Sequence, residues 1–427
     1  MSSTLSIPVQ QARVQPITVP PLRVSFSWTL AGNAIYAATQ FGTLSALAKL
    51  GSPAVVGQYA LALAITAPIF MFTNLQLRGV QATDARNEYQ FADYFTLRCL
   101  STVLGVLAVG FIVAIAHYDR TTSLVVLLVT AAKSIETFSD VIAGHLQKFE
   151  RLDQVARALM LRGLASVSTF ALTFWSTRSL VFSVLSLAAT WLVVIGFYDF
   201  RVVLSVLHDR VFFRYSTSVL RRLIWLSLPL GLVMALISLS ANIPRYLLQR
   251  KLGTAELGIF VSMAYLMTAM NLIVGALGQS VCARLSRFFA DGDVHHFKML
   301  IWKLIGLSLV LGSVGVAGAA TFGKQILTVV YRAEYASHAS LLVVLAIAAT
   351  VSAVASFLGY GMTAARCFRA QVPIIVLVSL TSAGLTVALL PSRALMGAGY
   401  ALLGAAIVQV GASVLVLSSA IRKQALL

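Results

Sequence analysis

The sequence predicts an all-α polytopic membrane protein with about twelve transmembrane helices, arranged as two six-helix parallel-repeat bundles around a central cavity. Three observations carry that prediction: an apolar composition, apolar stretches recurring at spanning length, and an echo between the two halves of the chain. Of 427 residues, 59% are hydrophobic and 11% charged, whereas soluble domains run at about 45–50% and about 25%. That balance excludes a soluble globular protein. The net charge of +18 by itself fits a nucleic acid or an anionic membrane surface, and the apolar content selects the membrane.

A spanning helix needs about 20 mostly apolar residues, because about 30 Å of hydrocarbon is crossed at a rise of about 1.5 Å per residue. Residues 1–22 are rich in Ser, Gln and Pro and lack the apolar run of a cleavable signal peptide. They read as a disordered cytoplasmic tail, with the first span acting as its own insertion signal. The expected spans of the first half, residues 23–199, are 24–48, 54–77, 95–117, 122–146, 157–176 and 179–199. Residues 200–222 form a basic linker carrying Val203, Leu204, Leu207, Val211, Phe212 and Phe213 among its charges. It reads either as an interfacial helix between the halves or as a solvated linker. The second half, residues 223–427, supplies spans at 223–247, 256–281, 299–322, 338–360, 371–391 and 397–420.

Lys and Arg set the orientation, since cytoplasmic loops retain them. With the N-terminus inside, 22 of the 32 cations fall on the cytoplasmic side, 9 on the outer side, and Lys133 within a span. Both termini are then cytoplasmic, and most of the charge excess is a topology signal. Cys99, Cys282 and Cys367 fall near the reducing side and are too scattered for a zinc site or a disulfide framework.

The echo joins Lys49-Leu50-Gly51-Ser52 and Gly57-Gln58-Tyr59 to Lys251-Leu252-Gly253-Thr254 and Gly258-Ile259-Phe260, each in the outer hairpin that opens its half. A second echo relates Arg78 and Phe91 to Arg284 and Phe297. Halves with even helix counts enter from the same side and form a parallel repeat about an axis along the membrane normal. Two such bundles facing a cavity make the architecture of an alternating-access transporter.

Ionisable groups inside spans are costly and are functional candidates by default. Lys133, Glu136 and Asp140 are spaced three and four apart in the fourth span, so they share one helical face that cannot point at lipid. They read either as a cavity-lining cation with proton-exchanging, ion-coupling carboxylates, or as a self-neutralising structural pair. Arg162 in the fifth span, and Arg245 directly after Pro244 in the seventh, read either as cavity cations or as snorkelling side chains. Arg98 and Lys303 are expected to snorkel. Pro68, Pro229, Pro244 and Pro373 lie within or at the edges of spans, where a freed carbonyl is tolerated at a bend or a cavity. A guanidinium binds phosphate oxygens bidentately, so Lys133, Arg162 and Arg245 are the candidate contacts for a diphosphate headgroup. Asp291-Gly292-Asp293 with His295 and His296 could suggest a metal-nucleotide site, but reads as a solvated turn. No cofactor, metal site, phosphate-binding glycine loop or catalytic triad is expected.

Several segments resemble the polysaccharide transporter (Wzx-type) family of the multidrug/oligosaccharidyl-lipid/polysaccharide flippase superfamily. They are Asn242-Ile243-Pro244-Arg245-Tyr246, Leu252-Gly253 through Glu256-Leu257-Gly258-Ile259-Phe260, Ala276-Leu277-Gly278-Gln279-Ser280 and Ala283-Arg284-Leu285. In the first half the matching residues are Gly32-Asn33 with Tyr36-Ala37, Asn74-Leu75-Gln76-Leu77-Arg78 with Thr83-Asp84, and Gln147 to Asp153. The resemblance implies a non-enzymatic flippase of the bacterial inner membrane with two lobes around a cationic cavity. It would move undecaprenyl-diphosphate-linked oligosaccharide to the periplasmic leaflet by ion-coupled alternating access, for O-antigen, capsule or exopolysaccharide assembly. The implied partners are the lipid-linked substrate and membrane lipids, with other polysaccharide-assembly proteins as further candidates and no nucleic acid. The alternatives are a multidrug/cation antiporter on the same fold and a membrane-embedded polysaccharide polymerase. The short outer loops argue against the polymerase.

Overall fold

The computed structural model describes residues 22–84, 87–206 and 212–424. The first half comprises α1 (Leu22–Leu50), α2 (Pro53–Thr73), the short α3 (Leu77–Thr83), α4 (Phe91–Ile115), α5 (Arg120–Lys148), α6 (Leu152–Thr177) and α7 (Leu180–Val194). A π-helical turn, Ile195–Asp199, then leads into α8 (Phe200–Val206). The second half comprises α9 (Thr217–Leu252), α10 (Thr254–Leu266), α11 (Thr268–Ala290) and α12 (Val294–Val330). A 3-10 turn, Ala333–His338, precedes α13 (Ala339–Ala364) and α14 (Phe368–Gln424). No strand occurs among the described residues.

Local chemistry sets the helix ends. Pro53 opens α2, where its fixed φ suits the first turn and its missing N–H is no loss. The Asp119 carboxylate accepts the Thr122 N–H at 3.0 Å and caps α5, while Gln90 and Asp93 form a capping box on α4. Asp293 caps α12 by accepting the His296 N–H at 3.1 Å. The Asp-Gly-Asp turn thus closes a helix-to-helix connection, and no metal-ligand cluster occurs among the described residues. Gly253, at φ 94°, makes the sharp corner between α9 and α10 that a Cβ would strain.

Each expected span falls on a helix. The stretch 256–281 covers α10 and α11, and the last two spans share α14, which breaks at Ala394 (φ 46°, ψ −130°). Its two arms fold back on each other, since a Cβ on Gly404 would lie 2.5 Å from the Leu385 side chain. Among the described residues, eight helical segments are long and apolar enough to cross a membrane. Neither α1 nor α5 is among them, and α5 carries Lys133, Glu136 and Asp140. The chain is a multi-pass membrane protein.

Within the first lobe α1 packs on α6, α2 on α5, α5 on α7 and α6 on α7; within the second, α12 packs on α13, α11 on α13 and α13 on α14. The lobes meet where α2 packs on α9 and α10. There the echoed glycines touch: a Cβ on Gly57 would sit 1.7 Å from the Thr254 carbonyl oxygen, and one on Gly258 1.9 Å from that of Pro53. The same shift along the chain carries Pro53 to Thr254 and Gly57 to Gly258, so the contact is reciprocal, as a two-fold axis requires. Pro68 supplies a second joint. Lacking an N–H, it leaves the Ala64 carbonyl without its helical partner, and the Tyr246 hydroxyl of α9 donates to that oxygen.

The basic linker lies partly outside the described residues. Helix α8 ends at Val206, residues 207–211 lie outside the described residues, and Phe212 and Phe213 dock on Phe95 of α4 with ring centroids 5.7 and 5.3 Å apart. Aromatic packing therefore fastens this end of the linker to the first lobe.

Candidate functional site

A cavity of about 660 Å³ opens among α1, α2, α3, α5, α6 and the π-turn, with Met234 of α9 as the second lobe's contribution to its lining. The described residues of its lining lie mostly on first-lobe helices.

Lys133, Glu136 and Asp140 all line this cavity, one helical face delivering all three as their spacing requires. The Lys133 ammonium donates to Glu136 Oε2 at 2.7 Å, and the Tyr36 hydroxyl of α1 donates to Oε1 at 2.7 Å. Lys133 also stands 5.4 Å from the ring centre of Trp191 on α7. Both readings of this pair meet here, since it is self-neutralised and it faces the cavity.

Arg162 of α6 lines the same cavity and is 5% exposed. Its guanidinium lies 5.7 Å from the Tyr36 ring centre and 5.9 Å from that of Trp191, a cation–π setting. Trp191 is fixed by its indole N–H, which donates to Ser166 Oγ at 2.6 Å, and the Ser166 hydroxyl in turn donates to the Arg162 carbonyl. The Nε and Nη1 donors of Arg162 have no hydrogen-bond partner among the described residues. Buried unpaired donors cost on the order of 1–3 kcal/mol each, and the acids that act on this guanidinium electrostatically are Glu136 and Asp199. A snorkelling side chain would instead place its head in water.

Asp140 sits in a different network. Arg98 of α4 is 0% exposed, donates to Asp140 Oδ2 at 3.1 Å and to Asn74 Oδ1. Arg78 approaches Asp140 Oδ1 at 3.8 Å and donates to Gln147 at 3.2 Å. Arg98 therefore does not snorkel. It lies seven residues after the start of α4, and Asp140 eight before the end of the neighbouring antiparallel α5, so the two reach the same depth. Asn74 ends α2, and the next residues, Leu75 (φ 51°) and Gln76 (φ 50°), adopt left-handed conformations that are costly without glycine. This break turns Gln76 and Arg78 to the cavity wall.

Asp199 is a lining group that sequence reasoning missed. It closes the π-turn, is 3% exposed, and accepts from Ser139 Oγ at 2.5 Å. The only signal for it in the sequence was an acid at the inner edge of the sixth span. Arg245 is absent from the cavity lining; it sits on α9, donating to Asn242 Oδ1 at 2.9 Å. Among the described residues, the charged lining groups are thus Arg78, Lys133 and Arg162 against Glu136, Asp140 and Asp199. The cavity is balanced in charge where the resemblance implied a cationic one, because α5 and the π-turn bring acids in with the bases. Arg162 is the lining cation without an ion pair among the described residues.

Residues 22–289 match the family model described as polysaccharide biosynthesis protein. Over 377 residues the chain is 25% identical to capsular polysaccharide biosynthesis protein CapF of Staphylococcus aureus, an alignment covering 88% of this chain and 93% of CapF. Among solved structures, the lipid II flippase MurJ in an inward closed conformation superposes with a TM-score of 0.72 at 10% identity, covering 94% of this chain and 90% of MurJ. A point mutant of the Vibrio cholerae MATE transporter VcmN superposes with a TM-score of 0.64 at 14% identity, covering 94% of this chain and 96% of VcmN. The structural likenesses establish the two-lobe transporter fold. The chain belongs to the polysaccharide biosynthesis protein family.

Proposed function

We propose that this protein is a flippase carrying undecaprenyl-diphosphate-linked oligosaccharide from the cytoplasmic to the periplasmic leaflet of a bacterial inner membrane, for surface polysaccharide assembly. In this reading twelve helices span the membrane and both termini are cytoplasmic. The observation that carries it is Arg162: a buried guanidinium with two donors unpartnered among the described residues, in a cavity within the membrane-spanning region. A diphosphate supplies paired oxygen acceptors that the planar guanidinium can bind bidentately. Lys133 is the second headgroup contact once Glu136 yields it, and Arg245, outside this cavity's lining, contributes no contact here. Glu136 is the favoured coupling carboxylate, because a proton on it would release Lys133 and Tyr36 together. Asp140, held by Arg98 and Arg78, serves better as an anchor. The kinship with a protein named for capsular polysaccharide biosynthesis agrees with such a cargo, and further assembly proteins are its expected partners.

A deletion strain should accumulate lipid-linked oligosaccharide facing the cytoplasm. The parent gene should clear it, whereas Arg162→Gln should insert normally and leave it uncleared. The acids Glu136 and Asp199 in the lining favour one competing reading, a cation antiporter. Normal surface polysaccharide in the deletion strain, with new sensitivity to cationic dyes, would establish the antiporter and sink the flippase.

A further inference from the structure

We infer that Arg157 stacked on Trp28, and Arg201 stacked on Phe197, form a binding face for the headgroup of an anionic phospholipid on the outside of the first lobe. The orientation assigned in the flippase reading makes this the cytoplasmic leaflet, and the binding itself does not depend on the cargo.

Depth is the first argument. Trp28 lies 22 residues before the end of α1 at Leu50, Arg157 lies 20 before the end of α6 at Thr177, and Arg201 lies 21 after the start of α7 at Leu180. Those helix ends are level, since Arg178 Nη1 donates to the Leu50 carbonyl at 2.7 Å. By helical rise the three residues stand about 33, 30 and 32 Å from that end. The hydrocarbon layer is about 30 Å thick, so three helices independently bring these side chains to the opposite headgroup level. Phe197, four residues before Arg201, falls just inside the acyl edge, where interfacial aromatics are favoured. On the acyl side of Arg157 the same helical face continues through Leu161 and Leu164, and both are exposed, as are Leu192 and Val193 of α7. Headgroup cations thus stand above an apolar strip that acyl chains can cover.

Stacking is the second. The Arg157 guanidinium stands 5.0 Å from the Trp28 ring centre, and that of Arg201 stands 5.9 Å from the Phe197 ring centre. Arg157 also acts electrostatically on the Tyr198 phenol, the neighbour of Phe197, so the two pairs share one patch. The Tyr198 hydroxyl donates to Gln154 Oε1 at 2.8 Å and ties the π-turn to α6. Val203 is fully buried, which anchors α8 beside the exposed Arg201. Nearby acids are committed elsewhere: Asp153 pairs with Arg151 at 3.3 Å, and Asp199 accepts from Ser139 in the cavity wall. Neither Arg157 nor Arg201 enters an ion pair among the described residues. A ring occupies one flat side of each guanidinium and leaves its N–H edge free, fixed in place for the oxygens of a phosphate. None of Trp28, Arg157, Phe197 and Arg201 is among the described lining of the cavity. The face therefore meets the leaflet, where the abundant anion at that depth is a phospholipid phosphate.

The test is native mass spectrometry of the full chain in detergent, titrated with phosphatidylglycerol and separately with phosphatidylcholine. The parent should retain phosphatidylglycerol in preference. Arg157→Gln with Arg201→Gln should weaken that retention about ten-fold and leave phosphatidylcholine unchanged. Trp28→Leu keeps both charges and should weaken it by a smaller factor, through loss of the stacking. Arg221→Gln with Arg222→Gln removes two exposed cations at the start of α9 and should leave retention at the parent level. Undecaprenyl diphosphate should bind alongside the phosphatidylglycerol without displacing it. Equal retention of the two phospholipids by the parent, or parent-like binding by the double glutamine chain at positions 157 and 201, overturns the face. An equal loss at positions 221 and 222 overturns it too, as it reduces the effect to general surface charge. Displacement by undecaprenyl diphosphate gives the face to the cargo and overturns the phospholipid assignment. If retention follows Arg157 and Arg201 while deletion leaves lipid-linked oligosaccharide undisturbed, the face stands and the cargo reading fails.

Discussion

Arg98→Met removes a cation that the structure holds completely out of water, and the size of the loss can be worked from its partners. Arg98 is 0% exposed and makes a charge-assisted bond to Asp140 at 3.1 Å and another to Asn74. Losing one partner of a fully buried pair costs about 3–5 kcal/mol. Asp140 is not fully buried, with 31% of its side chain exposed and Arg78 at 3.8 Å, so the lower end, about 3 kcal/mol, is the better figure. Methionine fills much of the vacated stem and leaves no second buried charge. At about 2.1 cal/mol/K of unfolding entropy per residue, a chain of this size should lose roughly 3 °C in thermal midpoint. Purified protein in detergent, followed by intrinsic fluorescence or a thiol-reactive dye, gives the measurement. Asp140→Asn in the Arg98→Met background should cost less than it does alone, by about 1–2 kcal/mol, because the pair is then already broken. An Arg98→Met chain with the parent's midpoint, together with strict additivity, would refute the buried Arg98–Asp140 pair and restore a snorkelling side chain.

Lys133→Met should lower expression by leaving Glu136 beside one fewer donor, and Lys133→Met with Glu136→Gln should restore the folded yield while export stays lost; recovery of export as well would make the pair structural only. Asp84 accepts the N–H groups of Glu88 and Tyr89 at 3.0 and 3.2 Å and the Lys148 ammonium at 3.2 Å. Burial alone would raise its carboxyl, and these donors overcome that and hold it below the ordinary range. A depressed folded value stabilises above the unfolded value near pH 4 and is lost as pH falls through the folded one. Asp84→Asn should therefore lower the thermal midpoint at pH 7 and converge on the parent below about pH 4, and an unchanged gap at pH 3 would contradict this. A Cβ on Gly278 would meet the Tyr360 ring at 2.0 Å, so Gly278→Ala should cost about 1–3 kcal/mol by overpacking, read as a lower midpoint, and an unshifted midpoint would show that the ring gives way.

Much of the fold was legible because apolar length and loop charge are properties of single segments. The twelve expected stretches all fall on helices, although the break at Ala394 and the run from α10 into α11 blur where one ends. The α5 triad was legible for the same reason, as spacing within one helix fixes a common face. What failed needed two helices at once. Arg98 looked like an interfacial cation on α4 alone, and only the matching depth of Asp140 on α5 shows it to be an internal pair. Pro244 drew attention to Arg245, yet the freed carbonyl that matters at this joint is that of Ala64, released by Pro68 and taken by Tyr246. Asp199 depends on a π-turn, whose extra residue per turn leaves no mark in apolar periodicity.

The repeat and the cavity carry complementary information. The echo at Gly57 and Gly258 survives as a reciprocal backbone contact, so the two lobes share a frame. Among the described residues, the charged groups that line this cavity all lie on the first lobe, and the second adds Met234. That asymmetry has a mechanical consequence if the lobes separate. A polar site split between lobes would have to break its cargo contacts to open, leaving charges to be resolvated in mid-membrane. A site borne by one lobe keeps Arg162, Tyr36 and Trp191 in register throughout, while an apolar wall slides away from it. The tilt of one lobe can then change the cargo's exposure without first having to release it.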